Sequence, residues 1–157
     1  TTQMMALTAA AKDRDFKIII AFLGSTNLLL DQNSKRFRDA FEFETRTDYV
    51  WHPLKNPTKK DAGAIKDRLG AGRVLFIPVL KHSGRIDHLS AAIKAAEIDN
   101  AEVLIIDDEA DQSSLNTKVK KNEESKGRRV RNKMMFVTHS RFNPRYAEAS
   151  GFSPDSF

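Results

Sequence analysis

The chain has 157 residues, of which 40% are hydrophobic and 30% charged, with a formal net charge of +5. That size and balance suit one soluble domain with an ordinary core and favour a polyanionic partner. Cysteine is absent, which excludes disulfides and cysteine-based metal sites or nucleophiles. No apolar run reaches bilayer length, and the opening Thr1-Thr2-Gln3-Met4-Met5 lacks the basic region of a secretory signal, so the expectation is a cytoplasmic protein without a membrane partner.

Met4, Met5, Ala6, Leu7 and the alanines after them predict a first helix up to about Lys12, since small and unbranched residues have good helix propensity. Phe16 to Leu23 is short, apolar and β-branched, the pattern of a buried strand. Gly24 then permits a tight turn. Ser25, Thr26 or Asn27 can cap a helix running from Leu28 to about Ala40. The free amides at such a helix start suit anions, including nucleic-acid phosphate.

Phe41 to about Lys60 mixes aromatic residues with Pro53, Asn56 and Pro57 and reads as a short strand or excursion followed by a basic loop. Its Trp51 either stacks a base or packs against its own domain, packing being the commoner role. Asp61 to Leu69 predicts a short helix with Ala62, Ile65 and Leu69 on one face. The next strand is Arg73 to Leu80, in which Pro78 lacks a ladder donor and so marks a bulge or a place where pairing stops. Lys81 and Arg85 follow its carboxyl end and are candidates for phosphate contacts. A helix from about Ile86 to Glu97 buries Ile86, Leu89, Ile93 and Ala96. The four histidines (His52, His82, His88 and His139) show no metal-ligand spacing, and His82 and His88 suit capping or surface positions.

Val103-Leu-Ile-Ile then ends abruptly in Asp107-Asp108-Glu109-Ala110-Asp111. An unbroken apolar run suits a buried parallel strand, and the crevice outside the carboxyl ends of such strands is where open α/β sheets bind ligands. Clustered carboxylates there repel one another unless a cation intervenes. Magnesium fits, because it takes oxygen ligands and usually only one or two carboxylates. Beyond lies a polar, basic run from Lys118 to Lys133, without apolar periodicity, and then Met134 to Val137 as a plausible strand. The stretch 141–157 is rich in Pro, Ser and Gly and predicts an irregular tail after a domain spanning 1–140.

Asp108-Glu109-Ala110-Asp111 resembles the DEAD form of the Walker B motif of superfamily-two helicases. The longer string Ile106 to Thr117, with Gln112, Asn116 and Thr117, is similar to restriction-associated superfamily-two ATPases of bacteria and phages. Gly24-Ser25-Thr26-Asn27, Leu28, Gln32 and Arg36 resemble another stretch of that group, and Thr1-Thr2 resemble the residues after Gly-Lys in P-loop ATPases. The resemblance implies a RecA-like three-layer α/β fold with a mainly parallel sheet, its first strand and phosphate loop lying upstream. It implies ATP and Mg2+ as cofactors, with Asp108 on the metal, Glu109 activating water, and Thr1, Thr2 and Asp111 around the nucleotide. It places Ser25, Thr26, Asn27, Arg36, Lys81 and Arg85 at a nucleic acid, DNA before RNA. Asp111, Gln112, Thr138 and Ser140 would couple the two sites, although His139 departs from the small residue expected between the last two. A second motor domain, and a nuclease or methylase, are the implied partners. Because G-x-x-x-x-G-K-[ST] is absent from these residues, the chain alone is expected to turn over no ATP. Two other classes share some features. A phospho-accepting receiver domain has a similar acidic strand, but at its start. A non-catalytic basic module would bind nucleic acid in a salt-sensitive manner, indifferent to nucleotide.

Overall fold

The computed structural model describes residues 2–41, 51–98 and 101–108, and the backbone of 145–148. The elements are α1 (Thr2–Asp13), β1 (Ile18–Phe22), α2 (Asn27–Phe41), β2 (Trp51–Pro53), a short 3-10 turn (Lys59–Asp61), α3 (Ala62–Gly70), β3 (Val74–Val79), α4 (Ser83–Ala96), β4 (Val103–Asp107) and β5 (Arg145–Glu148). The strands form one sheet in the order β2-β3-β1-β4-β5, with every pair parallel. Parallel neighbours need crossover connections, which helices supply by covering both faces. The chain is therefore an α/β protein with a small all-parallel sheet. No helix among the described residues is long and apolar enough to cross a membrane.

Side-chain alternation divides the core into two layers. On one face Ile18, Ile20, Phe22, Leu75, Ile77, Val79, Val103 and Ile105 meet Ile65 of α3 and Ile86, Leu89, Ala92, Ile93 and Ala96 of α4. On the other, Ile19, Ala21, Leu23, Phe76, Leu104 and Ile106 meet Met4 and Ala11 of α1 and Leu30 and Phe37 of α2. Every residue of β1, β3 and β4 is buried, which is why these strands read as continuous rather than alternating apolar runs. Burying each large aliphatic side chain contributes about 1.5–3 kcal/mol.

Pro78 produces no bulge against β1, where the register runs through it unbroken, Ala21 opposite Pro78 and Phe22 opposite Val79. In a parallel strand, alternate residues bond to opposite neighbours. The Leu75 amide donates to Lys17 on the β1 side, whereas the Phe76 and Pro78 carbonyls accept from Leu54 and Asn56 on the β2 side. The donor missing from Pro78 thus faces the side where β2 has already ended at Pro53, and pairing stops there at little cost.

Trp51 is buried and stacks on Phe41 with ring centroids 5.0 Å apart, so its indole packs within the domain and offers no base-stacking platform. Next to it His52 lies at the sheet edge. Burial first, then the nearby Arg68 and Arg73 charges, hold its imidazole below the ordinary value of 6.5. An unfolded chain therefore binds this proton more readily than the folded one. The resulting stability is complete above about pH 6.5 and is lost as pH falls through the depressed folded value. His52→Gln should flatten that part of the pH dependence, read as the urea midpoint between pH 7.5 and 5; an unchanged slope contradicts it.

The stretch 141–157 is not wholly irregular, because β5 lies within it and pairs with β4 from Leu104↔Arg145 to Asp107↔Glu148. Four residues, two of them charged, carry no apolar run, so an edge strand held by backbone pairing leaves little trace in the sequence. Met134 to Val137, the strand expected there, falls outside the described residues.

Candidate functional site at the carboxyl edge of the sheet

The ends of β3, β1 and β4 are tied together by main chain. The Lys81 amide donates to the Gly24 carbonyl at 3.0 Å, and the Asp108 amide to the Phe22 carbonyl at 3.1 Å. Gly24 has φ +68°, and a Cβ on it would stand 2.6 Å from the Leu29 Cβ. Only glycine lets β1 turn this tightly into α2. The first residues of α2 and the chain after β3 are thereby brought beside the acidic end of β4.

The two adjacent acids part company at this edge. Asp107 continues the parity of Val103 and Ile105 and belongs to the α4 face, where it is 1% exposed. Its carboxylate lies 2.6 Å from the Lys81 ammonium, whose side chain is 6% exposed. The contact is one of charge with charge: the ammonium finds no acceptor in hydrogen-bond geometry among the described residues. Asp108 belongs to the α2 face and is partly exposed. Its Oδ2 accepts from Asn33 Nδ2 at 3.4 Å, and Asn33 Oδ1 accepts from Arg36 Nη1 at 3.4 Å. A polar chain thus runs from the exposed side of α2 to the acid.

The other predicted residues divide clearly. Ser25, Thr26 and Asn27 are exposed at the turn out of β1, and Thr26 Oγ1 accepts from the Leu29 amide at 3.4 Å, as a helix cap does. Arg36 and Arg85 are exposed on α2 and α4. Lys81, two residues past the end of β3, keeps the parity of Leu75, Ile77 and Val79, and its side chain turns inward onto Asp107. His82 caps α4 by accepting from the Gly84 amide at 3.3 Å, and His88 is exposed. Thr2 is exposed at the start of α1. Met4 and Ala11 of the same helix pack in the core layer shared with α2. Thr1, Glu109, Asp111, Gln112, Thr138 and Ser140 lie outside the described residues.

Asp107 and Asn33 are functional candidates that the sequence pattern alone did not single out. Parity along β4 would have separated Asp107 from Asp108. Asn33 and Ser34 sit in the buried stripe of α2 between Leu30 and Phe37, and a polar pair on an apolar stripe is a signal in itself. No family model matches the chain, and neither curated proteins nor solved structures provide a match.

Proposed function

We propose that this chain is part of an ATP-dependent nucleic-acid motor of RecA-like fold, acting on DNA in restriction or phage defence. The supporting observation is Asp108: a partly exposed carboxylate at the tip of a buried interior strand, linked through Asn33 to Arg36 on the outer face of α2. The donor set suits magnesium, which accepts one or two carboxylates and completes its shell with phosphate and water. When bound, that ion neutralises charge developing on the transferred phosphate. Asp108 would hold the ion, and Glu109 would orient and polarise the attacking water. Ser25, Thr26, Asn27, Arg36 and Arg85 grip the nucleic-acid backbone; Asp111, Gln112, Thr138 and Ser140 couple that grip to the nucleotide.

The test is ATP turnover by the intact protein carrying Glu109→Gln. Loss of turnover with retained ATP binding is the expected result, and unchanged turnover contradicts the reading.

A further inference from the structure

We propose that Lys81 is a positioning residue for the cation site: it is the internal counter-ion that withdraws Asp107 and leaves Asp108 as the acid available to a divalent ion. The inference rests on the motor reading for the identity of that ion's partner, though not for its own test.

Three observations meet here. Asp107 and Asp108 are consecutive, so two carboxylates reach the same strand end on opposite faces of the sheet. Lys81 lies two residues past the end of β3, beyond the intervening β1, and places its ammonium 2.6 Å from Asp107, with both side chains almost fully buried. Its own amide is anchored on Gly24, and the Asp108 amide on Phe22, so the brace spans the carboxyl ends of three neighbouring strands. Without the ammonium, buried Asp107 would add a second negative charge to the field a cation meets at this edge. With it, Asp107 is paired within the α4 layer, and among the described residues of this strand end the carboxylate facing α2 is that of Asp108.

The arrangement makes the two halves of the pair act in opposite directions on cation binding. Asp107→Asn leaves an uncompensated ammonium near Asp108 and should weaken binding. Lys81→Met leaves a second carboxylate at the strand end and should strengthen it at pH 8. Each shift should be about three- to tenfold in the titration midpoint, the size expected of a unit charge acting on a divalent ion across a few ångströms of partly solvated protein. Lys81→Met/Asp107→Leu, which removes both charges, should return near the native midpoint.

The probe is Mn2+ alone, which takes the same oxygen ligands as magnesium, followed by its line broadening of backbone amides in the 157-residue chain. The native protein should show broadening centred on Asp108 and Asn33, with the midpoint raised by Asp107→Asn, lowered by Lys81→Met and restored in the double variant. The double variant keeps the comparison valid even where Lys81→Met folds poorly. Overturning results are single variants shifting in the same direction, as mere loss of packing would produce, or native broadening centred away from Asp108. Should the charge order hold while ATP leaves the Mn2+ response of the intact protein unaltered, the role of Lys81 stands and the motor reading falls.

Discussion

Lys81→Met should lower the unfolding free energy of the chain by about 3–5 kcal/mol, the cost of removing one partner from a buried ion pair. Methionine retains the volume and much of the apolar stem of lysine, so the loss is electrostatic rather than a cavity. What remains is Asp107, 1% exposed, at the end of a strand whose backbone is fixed by β1 on one side and β5 on the other. It cannot swing to water. Asp107→Leu should cost less, because the long lysine stem lets an ammonium reach the crevice and its solvent. Lys81→Met/Asp107→Leu should recover most of the loss, since well-packed apolar pairs replace buried ion pairs at little or no cost. Urea unfolding of the four proteins measures all of this. Additive losses in the double variant would show that the two side chains do not act as a pair.

The sequence made the buried strands legible because full burial on both faces demands unbroken apolar runs, and β1, β3 and β4 have them. Helix α4 was equally plain, its stripe of Ile86, Leu89, Ile93 and Ala96 recurring at helical spacing, although His82 caps it earlier than the apolar pattern suggests. β5 was not legible, because its pairing is made by backbone groups that every residue carries. The site was half legible. An acidic tip on an apolar strand announces a ligand-binding edge, but reading its acids as one cluster hides the alternation that sends Asp107 and Asp108 to different layers. Lys81 shows the same limit. A lysine after a strand looks like a surface cation until the strand order reveals an acid two strands away. Trp51 was settled by Phe41, a neighbour on a different element that no local pattern could supply.

Glu109→Gln in the intact protein should reduce ATP turnover by a factor on the order of 100 to 10,000, the range over which a positioned general base acts, while the affinity for ATP changes little. Glutamine keeps the length of glutamate and can still hydrogen-bond the attacking water, but it cannot draw off a proton. Asp108→Asn should behave differently. It removes a carboxylate proposed to hold the metal, so Mg2+-dependent binding should weaken together with turnover. The contrast separates a group acting on the reacting water from one acting on bound metal and nucleotide, because only the former lowers the maximal rate with binding preserved. Steady-state phosphate release and equilibrium nucleotide binding are the two measurements needed. A motor that clamps nucleic acid in its ATP state should also remain on DNA longer when Glu109→Gln blocks hydrolysis, since release depends on the chemistry that has been stopped. Equal loss of binding in both variants would mean that Glu109 shares the metal with Asp108, and full turnover in the Glu109→Gln protein would remove the catalytic role of the tetrad altogether.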